Sequence, residues 1–470
     1  VFELHHLTAL EQLDGLRRGE WSPRELAEHY LARIERLNPE LGAFAEVTAD
    51  RALARADQVA GLPKALALWG LPLGDKDLWD RAGVATRYGS RAYRDHLPET
   101  SHPVVAALDA AGGVSLGKTS APEFGMPSYT EPLAGPIARN PYDPALGAGG
   151  SSGGAAVAVA AGMLPLAPAS DGGGSIRIPA AATGLVGLKP SRGRVPAASG
   201  FESLGGLVTP GPIARTVADA ALLLDALVGA RAATSATVPP TWDGGAYLNA
   251  AVRGEGRYQL AVTTSTPWET WTELSLDASA RAALDLAVAE LGALGHGIEE
   301  LVLDAEPDYA RWFRAVWQGG AATLPLDDGQ LALVEPLTRW LVGEGRRLSG
   351  GALAEALIGL AGFERRLITR LAPYDAVLTP ALALEPRPVG WYDADDGERN
   401  FERQVRYTPY TSWLNVAGLP AITLPVHVTE GGLPMGVQLI GRPGGEHVLL
   451  AIGAQLERRL RWQRRHPPMW

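Results

Sequence analysis

The stretch that decides how this chain is read is "GAGGSSGG", residues 147–154, which runs directly into "AAVAVAAG" at 155–162. Ser151 and Ser152 sit side by side, flanked by glycine pairs. Taken alone, such a run is most simply a turn. A phosphate-binding loop would want a lysine directly after the glycines, and Ala155 and Ala156 stand there instead. A dinucleotide fingerprint would follow a strand, and the preceding "RNPYDPALGA" (139–148), with two prolines, is expected to be a poor one. The G-x-S-x-G elbow of serine hydrolases fits twice, centred on Ser151 and on Ser152. It too needs a strand before it, and an acid and a histidine after it. His296, His427, His447 and His466 follow, none in a distinctive local context.

Working outward, a second glycine–serine site, "SDGGGSIRIPA" (170–180), places Ser175 24 residues beyond Ser151. Upstream, "GLPLGDKD" (70–77) carries Lys76. Together with "LGKTSAPEFG" (116–125), "GLVGLKPSRGRV" (184–195), "GPIARTVADAALLLD" (211–225) and "NVAGLPAITLP" (415–425), these segments resemble the amidase signature family, Ser–Ser–Lys amide hydrolases. The resemblance covers roughly residues 8–235 and 375–465.

The resemblance implies an α/β fold with a central mixed, twisted β-sheet covered by helices on both faces. It implies that Ser175 is the nucleophile, Lys76 the base, and Ser151 a bridging serine whose preceding peptide bond is cis. Ser152 stays outside this triad and supports it through a hydrogen bond. The loop from Gly172 through Gly173 and Gly174 to Ser175 supplies the oxyanion hole. Gly125 and Met126 line the substrate site, and Trp317, in "YARWFRAVWQGG" (309–320), is the expected acyl-pocket contact, with Trp312 and Trp317 otherwise ordinary core residues. The implied reaction is acyl transfer from a small-molecule amide to Ser175, release of ammonia or an amine, and hydrolysis of the acyl-enzyme, with no metal or cofactor. A stand-alone amidase is favoured over the amidase subunit of a tRNA-dependent amidotransferase, whose C-terminal features are not recognised here. An esterase or urethanase would use the same residues.

The chemistry constrains Lys76. A serine hydroxyl needs a base to take its proton, and lysine serves only when neutral. Bringing its pKa from about 10.4 to about 7–8 requires burial or a cationic neighbour. The apolar approach "ALALWGLPL" (65–73) fits burial. Asp75 and Asp77 flank Lys76 where relatives usually carry apolar residues on the Asp75 side; on an extended strand both point away from it. Glycine at 172, where relatives often carry threonine or an apolar residue, makes for a more flexible oxyanion loop. Asp171 and Arg177 read as a structural pair holding that loop.

The rest of the chain sets the frame. Its 470 residues are 46% hydrophobic, with a formal net charge of −10. The basic residues form no broad cluster, so no nucleic-acid partner is expected. The absence of cysteine excludes thiolate catalysis and zinc–thiolate sites. No apolar run is long enough for a membrane span, and "VFELHHLTALEQL" (1–13) lacks the pattern of a signal peptide, so a cytoplasmic location is expected. A homodimer is left open.

"WSPRELAEHYLARIERLNPELGAF" (21–44) predicts a helix capped by Ser22, with Pro23 at its first position, a capping box closed by Glu25, and Leu26, Tyr30, Ile34 and Leu37 on one face. "MLPLAPASD" (163–171), "YDAVLTPALA" (374–383), "GLPAITLPVHV" (418–428) and "LPMGVQLIGR" (433–442) predict strands, the last two adjacent. Strands alternating with helices imply an α/β sandwich. The expected organisation is a single domain over 1–470. Its signature core spans 60–235, and a variable, largely helical insertion at 236–350 shapes the substrate pocket.

Overall fold

A computed structural model describes residues 3–196, 203–229, 239–240 and 242–470. The boundary expected near 235 lies outside the described residues. The strands are β1 (Phe44–Val47), β2 (Pro72–Lys76), β3 (Val114–Thr119), β4 (Arg139–Asn140), β5 (Asp143–Gly147), β6 (Leu166–Asp171), β7 (Val186–Lys189), β8 (Thr209–Ala214), β9 (Gln259–Val262), β10 (Gly297–Glu300), β11 (Ala376–Pro380), β12 (Ala421–Val428) and β13 (Pro434–Gly441). Eight of them form one mixed sheet in the order β10-β9-β11-β13-β12-β7-β8-β6. Neighbours run antiparallel, except that β9 is parallel to both β10 and β11.

Both faces of this sheet are buried, and the period-2 alternation of strand side chains divides them between two cores. Leu378, Leu424 and Leu439 point into one, packed by the helices Gly153–Ala160, Val217–Val228, Ala278–Ala293 and Glu446–Leu460. Val377, Ala421 and Ile440 point into the other, packed by Tyr309–Ala322, Gly350–Leu371 and Gly397–Tyr407. This is the expected mixed sheet with helices on both faces.

Local signals read from the sequence recur in the structure. The helix Pro23–Leu41 starts with the Ser22/Glu25 capping box, and Leu26, Tyr30, Ile34 and Leu37 are buried. β12 and β13 pair as neighbours. Residues 236–350 carry helices, but also β9 and β10, which extend the main sheet beyond β11. The "RNPYDPALGA" segment departs from expectation. It forms the two-stranded ribbon β4–β5, directly before the glycine–serine run. The ribbon stands outside the main sheet, with Pro141 in its turn, and such a short isolated pair tolerates proline. Among the described residues no helix is long and apolar enough to cross a membrane.

Candidate active site

Lys76 is the last residue of β2, which lies in the small sheet β1-β3-β2 and is buried along its whole length. Its Nζ lies 2.9 Å from Ser151 Oγ, 3.1 Å from Ser170 Oγ and 3.4 Å from the Ser170 carbonyl oxygen. Among the described residues no carboxylate touches it. Burial pulls its pKa down to about 7, against the opposing pull of the Asp171 charge. Asp75 points to the other side of the strand, where it pairs with Arg81 and accepts a hydrogen bond from Ser115. Asp77 is buried as well. Burial pushes its carboxyl up to about 6, opposed by Lys118 and the Arg87 N–H, and it makes no contact with Lys76.

Ser151 follows a cis peptide bond from Gly150. The helix Gly153–Ala160 begins immediately after the serine pair. Ser152 ties two segments together. Its N–H donates to the Ser175 carbonyl at 3.2 Å and its hydroxyl to the Ser170 carbonyl at 3.3 Å.

The glycines after β6 form a loop anchored from beneath by Asp171. This buried carboxylate accepts the N–H groups of Gly174 (2.7 Å) and Ile176 (3.1 Å), Asn415 Nδ2 (2.8 Å), and Arg177 Nε and Nη2 (both 2.9 Å). Burial would raise its pKa; the Arg177 guanidinium outweighs that and holds it well below the usual carboxylate range. Arg177 also donates to Asn415 Oδ1, Gln438 Oε1 and the Thr411 carbonyl. The expected pair is therefore the centre of a buried network. The same network commits the Gly174 N–H to Asp171, which takes that amide out of the expected oxyanion set. Gly172 and Gly173 line the cavity described below, and Gly174 does not. Gly174 has φ +135°, and a Cβ there would lie 2.4 Å from Thr411 Oγ1, so this position admits only glycine.

Ser175, only 8% exposed, sits where two lobes of a cavity meet. The larger lobe, about 470 Å³, is lined by Ser151, Ser170, Gly172, Gly125, His102 and Trp79, among others. The smaller, about 60 Å³, is walled by Trp268, Phe313, Phe401 and Val405, with Gly173 at its base. Met126 and Trp317 belong to both. Gly125 has φ +68°, and a Cβ there would meet Leu78 at 2.6 Å and Ser151 Oγ at 3.3 Å. Trp312, by contrast, packs on the helix Gly350–Leu371 over Gly359, away from the cavity. No direct hydrogen bond joins the Ser151 and Ser175 hydroxyls among the described residues.

The described residues lining either lobe include no Asp, Glu, Lys or Arg. His102 is the one ionisable side chain among them. Its Nδ1 accepts the Val104 N–H at 3.2 Å, so the proton of the neutral ring sits on Nε2. Burial lowers its pKa. The one group of described residues with metal-ligand spacing, Glu3, His5 and His29, belongs to the N-terminal segment and the first long helix. There, His29 Nε2 already accepts the His5 N–H.

The sequence reading missed Ser170, taken as an ordinary strand residue although it adjoins the Asp171 anchor. It also gave no role to Thr411, Gln438, Trp268 and Phe401, nor to Asn415 and Phe313 within the segments 415–425 and 309–320 quoted above; all are remote in sequence from the serines.

Comparison with known proteins supplies the last observations. The family model described as Amidase matches residues 25–450. A Mycobacterium tuberculosis protein named "Putative amidase AmiB2" is 37% identical, covering 98% of this chain and 97% of its own. A glutamyl-tRNA(Gln) amidotransferase subunit from Hahella chejuensis is 35% identical, covering 98% and 99%. The solved structure of a 6-aminohexanoate cyclic dimer hydrolase with its substrate superposes with a TM-score of 0.90 at 28% identity, covering 99% of both chains.

Proposed function

This chain belongs to the amidase signature family and is an amide-hydrolysing enzyme, and from that premise we propose that Ser175 is its nucleophile, Ser151 its proton bridge and Lys76 its base. The observation that carries this reading is the buried Lys76 ammonium position, 2.9 Å from Ser151 Oγ and, among the described residues, without a carboxylate partner. A lysine with a pKa near 7 is substantially neutral at physiological pH, which a base requires.

Rotation of the Ser175 side chain brings its hydroxyl to Ser151, a contact that commonly tightens only with substrate present. Ser175 Oγ then attacks the amide carbon while its proton passes through Ser151 to Lys76. The carbonyl oxygen turns towards the N–H groups of Gly172, Gly173 and Ser175. Oriented backbone donors of this kind stabilise the developing charge. The relay returns the proton to the leaving nitrogen, the C–N bond breaks, and water admitted to the same site hydrolyses the ester. Ser170 orients the lysine, and the Asp171–Arg177 network fixes the loop. Met126, Gly125 and Trp317 line the substrate's path, and residues 236–350 act as the pocket-shaping part of a single domain.

A free-standing hydrolase is favoured over a component of an amidotransferase by the charge of the site. A zwitterionic donor such as glutamine would bury an ammonium and a carboxylate against walls that, among the described residues, offer no counter-charge.

A serine-reactive fluorophosphonate tests the assignment. Labelling is expected at Ser175, lost in Ser175→Ala and strongly reduced in Lys76→Ala. Labelling at Ser152 with Ser175 silent would overturn it.

A further inference from the structure

The two lobes differ in what reaches them, and that difference orients the substrate. Ser151 lines the larger lobe and not the smaller. In the reaction proposed above, the proton that leaves Ser175 must reach the amide nitrogen through Ser151. The nitrogen therefore sits within hydrogen-bond reach of Ser151, on the side of the larger lobe. The acyl carbon becomes bonded to Ser175 Oγ, and its substituent is left to the smaller lobe, on the Gly173 side. The departing amine vacates the larger lobe, and the hydrolytic water enters there, beside the same relay.

Size and chemistry then define the two halves of the substrate. The smaller lobe, about 60 Å³, has an apolar wall of Trp268, Phe313, Phe401 and Val405, each under 8% exposed, with Ser128, Gln404, Thr408 and Ser412 also in its lining. The four wall residues belong to the core packed against the main sheet, so the lobe does not widen without repacking. The larger lobe, about 470 Å³, offers Trp79 with His102 stacked on it, ring centroids 5.9 Å apart. Nε2–H of His102 has no protein partner among the described residues, since Nδ1 is held by the Val104 N–H. It is a hydrogen-bond donor available to an uncharged acceptor on the amine.

We propose that the enzyme selects uncharged amides with a short apolar acyl group and a bulky amine, the acyl group in the lobe walled by Phe313 and Phe401 and the amine in the lobe shared by Ser151, Trp79 and His102. The proposal rests on the Ser175–Ser151–Lys76 reading and deepens it.

Two substrate series on the wild-type protein test it without any variant. In one, the amine is fixed as p-nitroaniline and the acyl chain grows from acetyl to octanoyl. In the other, the acyl group is fixed as acetyl and the amine grows from methylamine to naphthylamine. The expected kcat/KM falls by about 100-fold or more along the acyl series, the scale on which a narrow, largely apolar pocket discriminates by methylenes. Along the amine series it holds or rises. Val405→Ala moves the acyl cut-off to longer chains without changing the preference among amines.

Preference for octanoyl over acetyl anilides, or faster cleavage of octanamide than of acetanilide, overturns the assignment. So does an absence of turnover across both series in protein that labels at Ser175. Fluorophosphonate labelling of the same preparation separates the two layers. Protein that does not label at Ser175 refutes the triad, whereas protein that labels but shows the reverse preference refutes only the orientation.

Discussion

Two fully buried basic side chains stand beside Ser175 and Ser151, the two serines proposed to react, and the protein treats them in opposite ways. Arg177, behind Ser175, faces the Asp171 carboxylate through two hydrogen bonds and is satisfied further by Asn415, Gln438 and Thr411. Lys76, behind Ser151, meets two hydroxyls and a carbonyl oxygen. The nearest strand acid, Asp75, is turned away and paired with Arg81. A paired buried charge keeps its proton and fixes geometry; an unpaired one is pressed to give its proton up. In the proposed mechanism one network positions the loop and the other carries the proton transfer, and the roles separate because Asp171 is already engaged by Arg177.

The difference can be broken from either side. Lys76→Ala is expected to lower kcat/KM by about 10⁴-fold, the upper range for loss of a general base, in steady-state assays. Its cooperative unfolding should remain. Asp171→Asn should instead act on the fold. It leaves Arg177 buried without its counter-charge, a change that costs about 3–5 kcal/mol, read from denaturant unfolding.

Ser170→Ala removes one hydrogen-bond partner from Lys76, and about a tenfold loss in kcat with KM unchanged is expected. Asp75→Asn is the smallest change for catalysis, since the side chain lies across the strand from Lys76. It should reduce stability while leaving the midpoint of the pH–activity curve in place. A shifted midpoint would show that Asp75 does act on the lysine.

Stability carries the same signature. Between pH about 7 and about 10.5, the unfolded chain holds the Lys76 proton and the folded chain does not. The unfolded state binds more protons across that window, so the Lys76 contribution to stability rises with pH there. Lys76→Met should remove that slope in unfolding measured at pH 7 through 10.

Local features were legible in the sequence wherever one short segment determined them. The Ser22 capping box, the buried lysine approached by "ALALWGLPL", and the strands β12 and β13 are of this kind. The segments around Lys76, Ser151 and Ser175, with four further ones, carried the resemblance to the family. What escaped was set by tertiary packing. The Gly174 amide was expected in the oxyanion hole, but Asp171, three residues back, takes it. The proline-containing ribbon β4–β5 formed because an isolated pair makes few ladder bonds. The aromatic walls of the small lobe come from Trp268, Phe313 and Phe401, on three separate segments of the chain. No local pattern joins them until the main sheet brings those segments over Ser175.

The central claim is that Lys76 serves as a neutral base because burial, with no carboxylate in contact among the described residues, lowers its pKa against the opposing pull of Asp171. The most direct test is the pH dependence of Ser175 acylation, followed as kcat/KM in the wild type and in Lys76→Ala. The expected curve rises about tenfold per pH unit below an inflection near 7 and levels off above it, because acylation needs the deprotonated amine. The inflection should vanish in the variant. An inflection near the ordinary lysine value of about 10, or an inflection near 7 that survives in Lys76→Ala, would contradict the account.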